Sequence, residues 1–439
     1  MVRPALLTPL RHRDFALLWA GMTTSLLGDG IYLVAIAWQV YDLTDSPAAL
    51  SLVGLAWSLG MVAFLLLGGS IADRVDRRAQ MVVADAARLV AVAAMGVLAV
   101  TGVVEVWHLV VLSLLFGVGE AFFSPAFSAL IPQLVEKDDL VQANALQQVV
   151  RPAVFRLAGP ALGGLLVAAF GAGTAFLVDA ASFAVAIGCV LAIRARPEAV
   201  DAALDAGHGG VREGLAWARR EPWFWATLAV AALGIMLTLG PIEVLLPYVV
   251  RNDLDAPASA YGLILAAGGI GGIAGGLGMS RLGMPPRPLR FMYVGWGVAV
   301  TFIAGYAVAT AVWQLAALTL LYGVGISSGM VIWATLMQSR VPAAMLGRVS
   351  ALDWAVSIGL SPVAFALTGP IAAVAGIDAT IVAGGLLGGA LTLAIWLLVP
   401  GLAADDARGS GQVGEVAEEA WVAHGGGVHA DDLDALTRR

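Results

Sequence analysis

Twelve long apolar segments constrain this chain more than any other feature of its sequence. Each is about 20 residues or longer, the length that an α-helix needs to cross a hydrocarbon core about 30 Å thick. Sixty per cent of the 439 residues are hydrophobic and 13% are charged, whereas soluble domains average about 25% charged residues. The segments lack the short alternating pattern of barrel strands. The sequence therefore predicts an all-α integral membrane protein.

The segments fall into two sets of six. The predicted helices are 15–40, 47–71, 80–101, 107–131, 141–170 and 173–193, followed by 223–250, 258–280, 291–309, 312–338, 349–372 and 376–399. We therefore predict four regions: a first six-helix half (1–193), a central cytoplasmic loop with an amphipathic surface helix (194–222), a second half (223–400), and an acidic, disordered cytoplasmic tail (401–439). Pro-containing links before the fifth and eleventh helices resemble each other, as expected for a duplicated transporter whose site lies between its halves.

The distribution of arginine predicts the orientation. If both termini are cytoplasmic, the outer loops contain only one of the 24 basic residues, Arg251. Arg88, Arg151 and Arg156 lie within helices, and the other 20 fall on the cytoplasmic side, as the positive-inside rule requires. We therefore expect a multi-pass protein of the cell (inner or plasma) membrane with both termini in the cytoplasm.

A charged motif connects the second and third helices. It has a glycine, an Asp-Arg pair, a turn and two further basic residues, in the order Gly69-Ser-Ile-Ala-Asp73-Arg74-Val-Asp76-Arg77-Arg78. Gly69 would let a neighbouring helix approach closely. The motif resembles the signature loop of the major facilitator superfamily. That resemblance implies the major facilitator fold, with twelve transmembrane helices in two six-helix pseudo-symmetric halves, and a charge latch that stabilises the outward-open state.

The charged motif departs from the family at one position and has a second interpretation. Asp76 replaces the usual turn glycine, although Asp tolerates left-handed backbone geometry better than most residues. The alternative is a solvated loop that only sets the topology, since positive-inside arginines need no partner.

The fifth helix carries a second motif, Gly159-Pro160-Ala-Leu-Gly163-Gly164. It resembles the end of a motif that marks exporters of the superfamily, although Phe155 stands where that motif has a further glycine. Proline and close-packing glycines make a helix that can flex where two halves rock. Further matches are Leu10–Trp19, Gly28-Asp29-Gly30, Phe122–Pro125, Gln142–Leu146, Arg156 and Ala344-Met-Leu-Gly-Arg348-Val.

Together these motifs make the chain, to about residue 400, resemble the drug:proton antiporter-3 branch. That branch includes macrolide exporters and the enterobactin exporter. The resemblance implies export of an amphipathic small molecule, a drug or secondary metabolite, by proton antiport through alternating access.

Three predicted helices each contain one acidic residue in a membrane setting, where an ionisable side chain costs several kcal/mol unless it is paired or hydrated. These residues are Asp29, Glu120 and Glu243, on the first, fourth and seventh helices, which line the central cavity in the fold that the resemblance implies. A carboxyl group that alternates between dry and wet surroundings can bind and release a proton. We predict that Asp29 and Glu120 carry proton coupling and cation selection, with Arg156 as a counter-charge.

Alternatives remain for these and other charges. Related antiporters often carry an arginine in the fourth helix, which is absent here, so either Arg151 or Arg156 substitutes or coupling is organised differently. Glu120 is equally explained as an acid neutralised by one of those arginines in the packed interior, and Glu243 as an acid near the outer surface.

Asp85 and Arg88, three residues apart, are expected to pair with each other near the cytoplasmic end of the third helix. Asp353 either suits the positive end of the eleventh helix or receives the arginines of the charged motif. Asp179 has no evident partner.

The sequence does not contain the motifs of an enzyme. Lys137 is followed by Asp138, so no P-loop is present, and no HExxH occurs. Cys189 is the single cysteine, which excludes an internal disulfide and thiolate metal sites. We expect no cofactor, metal or nucleic acid, and a monomer that interacts with protons, lipid and an amphipathic small molecule. Two alternatives are a dedicated siderophore or lysolipid transporter on the same fold and a non-transporting membrane sensor or binding subunit.

Overall fold

The computed structural model describes residues 5–72, 75–136, 139–194, 211–342 and 345–407. Within those residues the chain is helical apart from short turns, and it crosses from side to side twelve times. The crossings, labelled α1 to α12 in chain order, are Arg13–Leu43, Pro47–Ala72, Arg77–Val100, Val106–Leu134, 140–170, 171–191, Pro222–Asp253, Ala258–Leu282, Pro288–Val308, Val312–Arg340, 346–375 and Ile377–Leu398. Helices α1 to α6 pack mainly on one another, as do α7 to α12, and they form the first and second halves. The predicted all-α bundle is confirmed.

Helices α5 and α6 are joined without a loop. Eleven continuous helices among the described residues are long and apolar enough to span a membrane, and the longest, Pro152–Leu191, has 40 residues. A straight helix of that length would measure about 60 Å, roughly twice the hydrocarbon thickness. The chain instead reverses at Gly171, where φ is 80° and ψ is 164°, a backbone conformation that residues with a Cβ rarely adopt. The sequence placed this turn at 171–172.

Because the number of crossings is even, the start of α1 and the end of α12 lie on the same side of the bundle. We call this side, where α1 begins at Arg13 and α12 ends at Leu398, the basic face. The opposite side, where α1 ends at Leu43 and α12 begins at Ile377, is the far face.

Helix α1 lies in the interior of the first half because glycines let it approach its neighbours. A Cβ on Gly30 would lie 2.8 Å from the Cα of Gly159 on α5, closer than packed atoms allow. Small residues of this kind permit helix backbones to touch in a membrane. The close packing directs Asp29, the residue before Gly30, into the first half.

Helices α5 and α7 each contain a wide π-helical turn. In α5 the turn is Pro152–Ala158, and the N–H of Gly159 donates to the carbonyl of Val154, five residues back. Pro160 follows, and a proline has no N–H for the ordinary bond and its ring displaces the carbonyl four residues earlier. In α7 the corresponding turn is Pro241–Leu245, which Pro247 follows in the same way, and a second π-helical turn, Val249–Asp253, ends the helix. The turns before Pro160 and Pro247 carry Arg156 and Glu243.

A helix, Val211–Arg220, lies where the sequence predicts an amphipathic surface helix before the second half. Trp217 packs against the bundle, with its ring centroid 5.5 Å from that of Phe224 at the start of α7. Residues 195–210 of the predicted central loop lie outside the described residues.

The first residues of the predicted tail form a short terminal helix, Leu402–Ala407, on the basic face of the second half. Asp406 Oδ1 accepts hydrogen bonds from the backbone N–H groups of Leu289 (2.7 Å) and Arg290 (3.4 Å) and thereby caps α9. Burial raises the pKa of the Asp406 carboxyl above its ordinary value, and the two N–H donors oppose that effect. Buried Arg340 donates to the Asp405 carbonyl at 3.1 Å. The terminal helix therefore belongs to the folded bundle, and residues 408–439 lie outside the described part.

We predict that the terminal helix stabilises the second half. Deleting 402–439 should lower the thermal unfolding midpoint of the detergent-purified protein, whereas deleting 408–439 should leave it unchanged. Loss of an N-cap alone costs about 0.5–2 kcal/mol, and the longer deletion also removes the carbonyl that Arg340 contacts. Asp406→Ala should reproduce part of the loss. Equal midpoints for both deletions, measured by tryptophan fluorescence, would contradict the prediction.

Candidate functional site

The interior of the first half contains a cluster of ionisable side chains, which we call the charged cluster: Asp29 on α1, Asp85 and Arg88 on α3, and Glu120 on α4. Arg88 forms an ion pair with Asp85, one helical turn earlier. Its Nη1 also lies 3.8 Å from Oδ2 of Asp29. Arg88 and Asp85 are 3% and 0% exposed, whereas Asp29 is 16% exposed. Asp29 is therefore the more accessible of the two acids that Arg88 contacts.

Packing holds Arg88 in place. Its guanidinium carbon lies 4.5 Å from the ring centroid of Phe123 and 4.6 Å from that of Phe183, within the range of cation–π attraction. Gly119 on α4 leaves room for the side chain, since a Cβ there would lie 2.6 Å from Arg88 Cγ. Aromatic rings and a glycine thus form a preorganised site for the Arg88 guanidinium inside an apolar bundle.

Glu120 connects the charged cluster to the second half. The indole Nε1 of Trp57 on α2 donates to Glu120 Oε2 at 3.1 Å. The other side of that indole meets Phe365 of α11 edge-on, at 6.4 Å between ring centroids. The charges of Glu120 and Arg151 both act on the Asp29 carboxyl. A proton or cation bound at either acid therefore changes the electrostatic potential at the other.

A second group of polar residues lies between the halves. The charge of Arg156 on α5 acts on Glu243 of α7 and on the hydroxyl of Tyr322 on α10. Arg88 therefore lies beside Asp29, in the counter-charge position predicted for Arg156, whereas the charge of Arg156 acts on Glu243.

The motif at residues 159–164 packs α5 against helices of both halves. Gly159 and Gly163 face α1, where a Cβ on Gly163 would lie 2.8 Å from the Cα of Ile31. Gly164 faces α8, where a Cβ would lie 3.0 Å from the Cα of Gly262. Pro160 contributes its carbonyl to the same α8 contact. The motif therefore joins the helix that carries Asp29 to the interface between the halves.

The halves also meet near the far face. The hydroxyl of Tyr41 on α1 donates to the carbonyl of Val244 on α7 at 2.8 Å. Asp42 forms an ion pair with Arg251. Nearby, a Cβ on Gly369 of α11 would lie 2.6 Å from the Cα of Ala48 on α2. Two helix pairs, α1 with α7 and α2 with α11, therefore close this side of the molecule.

The charged motif at residues 69–78 lies on the basic face. Asp76 caps α3 by accepting from the N–H groups of Arg78 (2.8 Å) and Ala79 (3.4 Å), so an acid serves where the family has a glycine. Arg77 donates to the carbonyl of Ala129 on α4 at 3.0 Å. Arg78 reaches the carbonyls of Val190 and Leu191 at the end of α6, at 3.4 and 3.5 Å.

Other parts of the predicted latch have different surroundings. Asp73 and Arg74 lie outside the described residues. Gly69 has open space around it, and Gly68 makes the close approach instead, since a Cβ there would lie 3.1 Å from the Cα of Phe122. Asp353 accepts from the indole of Trp333 within the second half, at 3.2 Å.

Sequence reasoning missed the position of Arg88 and of Asp179. The i,i+3 spacing suggested a local Asp85–Arg88 pair near a helix end, but Arg88 lies eleven residues into a 24-residue helix and so at mid-depth. Counting residues from the helix ends places Asp29 and Glu120 at the same depth. The distance of Arg88 from its helix ends was therefore the sequence feature that could have placed it with these two acids. The rings of Phe123 and Phe183 that hold the guanidinium come from other helices, and no local pattern identifies them.

Comparison with known proteins identifies the family. The family model described as "Transmembrane secretion effector" matches residues 5–427. The multidrug efflux pump Tap of Mycolicibacterium fortuitum is 30% identical over 395 residues, which cover 85% of this chain and 92% of that protein. Macrolide efflux protein A of Streptococcus pyogenes is 23% identical, with coverage of 88% and 95%.

Solved structures confirm the fold. A bacterial homologue of the human lysosomal transporter Spinster, in an inward-facing and unoccupied conformation, matches with a TM-score of 0.65 at 14% identity and covers 93% of this chain and 98% of that chain. An inward-facing bacterial homologue of the iron transporter ferroportin matches with a TM-score of 0.64 at 16% identity, with coverage of 87% and 98%. The predicted resemblance is confirmed: the chain is a multi-pass membrane transporter, not an enzyme, and belongs to the transmembrane secretion effector family of the major facilitator superfamily.

Proposed function

We propose that this protein exports amphipathic small molecules from the cytoplasm in exchange for protons, by alternating access between its two halves. The observation that carries the proposal is the partly accessible Asp29 carboxylate beside a fully enclosed Arg88–Asp85 pair. The relatives named as multidrug and macrolide efflux proteins support the direction of transport and the class of substrate.

The charged cluster provides the means of exchange. Arg88 remains protonated at every physiological pH, so it attracts Asp29 whenever that carboxyl is ionised. Protonation of Asp29 removes this attraction and leaves Arg88 with Asp85, its other ion-pair partner. A substrate cation near Asp29 or Glu120 would compete with the proton for the same negative charge. Competition of this kind makes each ligand's binding oppose the other's, which is the requirement for antiport.

Glycine contacts give a path from this exchange to the movement of the halves. Asp29 lies next to Gly30, which packs on Gly159, and Gly164 one turn further along α5 packs on α8 of the second half. A small shift of α1 would therefore disturb the contact between halves. We infer that the far-face contacts of Tyr41 and Asp42 open when the protein releases substrate, and that the conformation described here faces the cytoplasm.

We propose that the basic face is cytoplasmic, so that both termini lie in the cytoplasm and the bundle spans the cell membrane. Nearly all basic residues outside the helices lie on that side, as the positive-inside rule requires. One chain supplies both halves of the bundle, which supports a monomer as the working unit, with 1–193 and 223–400 as the moving halves.

Asp29→Asn should abolish export while leaving the protein in the membrane. The amide keeps the shape of the side chain but cannot exchange a proton or hold the charge that competes for substrate. Ethidium and macrolide accumulation should be compared in an efflux-deficient host at matched expression, with Asp45→Asn, an exposed acid, as the control. Wild type should lower accumulation and an uncoupler should remove that effect. Full activity of Asp29→Asn would refute its role in coupling.

Arg88→Gln should reduce folded protein in the membrane, because it leaves Asp85 buried without its cation. Removing one member of a buried pair costs about 3–5 kcal/mol. The double variant Asp85→Asn, Arg88→Gln should recover folded protein, measured by size-exclusion chromatography, but should not recover export. If the double variant exports normally, Arg88 has only a structural role.

The orientation can be tested with introduced cysteines, because Cys189 is the only native one. In a Cys189→Ala background, Val103→Cys on the far face should react with a membrane-impermeant maleimide added to intact cells. Pro286→Cys on the basic face should react only after permeabilisation. The opposite pattern would reverse the proposed topology.

A further inference from the structure

A fourth acid lies behind the charged cluster. Asp179 on α6 is completely buried and faces α1 at Gly28, the residue before Asp29. A Cβ at Gly28 would overlap both the Asp179 carboxylate and the Ser182 hydroxyl. The absence of a side chain at Gly28 thus allows the Asp179 side chain to reach α1. Asp179 and Asp29 therefore occupy neighbouring positions at the interface between α6 and α1.

Asp179 is weakly satisfied where it lies. The Ser182 hydroxyl donates to its Oδ1 at 3.3 Å, and its Oδ2 is buried with no hydrogen-bond partner among the described residues. Oδ1 of Asp29 is buried and unpartnered in the same way. Two neighbouring acids that each have an unused buried oxygen are a place for a shared proton, either directly or through one water molecule.

The balance of charge supports the presence of that proton. Four carboxyl groups (Asp29, Asp85, Glu120 and Asp179) surround one enclosed guanidinium, Arg88, whose ion-pair contacts are with Asp85 and Asp29. The charge of Arg88 acts on Asp179 only at longer range. A buried carboxylate without a close cation is costly, and such a group binds a proton instead. Among the four acids, Asp179 combines complete burial with the lack of an ion pair in the described structure.

We propose that Asp179 is a proton-storing residue that exchanges its proton with Asp29 during the transport cycle. In the inward-facing conformation Asp179 holds the proton, and Asp29 is the carboxylate that faces Arg88. In the transfer step the O–H bond of Asp179 breaks and an O–H bond forms on Asp29. One proton moves, no electrons are transferred, and the Asp179 carboxylate that remains keeps the Ser182 hydrogen bond. This inference rests on the proton exchange proposed above for Asp29.

Neighbouring groups limit the possible routes. The charged and titratable groups that face Asp179 from other helices are Asp29 and Tyr32 on α1 and Arg88 on α3. The Tyr32 hydroxyl is hydrogen-bonded to Ser113 at 3.1 Å, and its ring stacks on the Phe116 ring. Transfer to Asp29 is the route that leads to a partly exposed carboxyl.

Infrared spectroscopy of the full-length protein in lipid tests the stored proton without any substrate. The wild type at neutral pH should show a carboxylic-acid C=O band that is missing from Asp179→Asn. Ser182→Ala should move this band to higher frequency, because it removes the hydroxyl donor to the Asp179 carboxyl. Asp45→Asn should leave it unchanged. Asn resembles a protonated Asp, so the variant should keep the unfolding midpoint of the wild type; an unchanged band in such a folded variant overturns the proposal.

Transport in proteoliposomes tests the exchange itself. Asp179→Asn should lose ethidium transport driven by an imposed pH gradient, down to the level of liposomes without protein, but should retain ethidium binding measured by fluorescence polarisation. Gradient-driven transport at the wild-type level would overturn the relay. If the infrared band is lost in Asp179→Asn but the wild type itself ignores the pH gradient, the stored proton stands and the proposed antiport fails.

Discussion

The structure of the first half depends on enclosing one permanent positive charge. Arg88 cannot lose its proton, so the bundle must supply both carboxylates and aromatic faces around it. Asp85 and Asp29 provide the negative charge, and Phe123 and Phe183 provide the π-surfaces. These partners come from α1, α3, α4 and α6, so satisfying a single guanidinium brings four of the six helices to fixed positions. The same arrangement leaves more acidic than basic side chains in the interior of this half, which is the basis of the proposed proton exchange.

Glycine contacts link this electrostatic centre to the surface between the halves. Gly30 meets Gly159, and Gly164 meets Gly262, so α5 is pressed between α1 and α8 with almost no side chain in either contact. Backbones in direct contact cannot adjust by rotating side chains. A change in the position of α1 is therefore passed on to α8, and the π-helical turn before Pro160 is the part of α5 that is able to bend.

Hydropathy and charge distribution predicted the twelve crossings, the turn at Gly171 and the membrane setting, because each of these follows from local composition. The acids Asp29, Glu120 and Glu243 were recognisable for the same reason, since a charge inside an apolar run stands out. Their partners were not. Arg88 pairs with Asp29 across 59 positions of sequence, and Trp57 reaches Glu120 across 63. Such contacts are determined by helix rotation and tilt, which depend on the packing of the whole bundle.

The reversal at Gly171 has a mechanical consequence. Most neighbouring helices are connected by turns whose spare residues absorb displacement, but α5 continues into α6 through one residue in a left-handed conformation. We therefore expect α5 and α6 to move together as one helical hairpin. Helix α5 carries the glycines that contact the second half, and α6 carries Asp179. If the halves rock as proposed, this movement shifts a buried acid relative to α1, so the displacement proposed to change access also changes the distance over which the proposed proton transfer takes place.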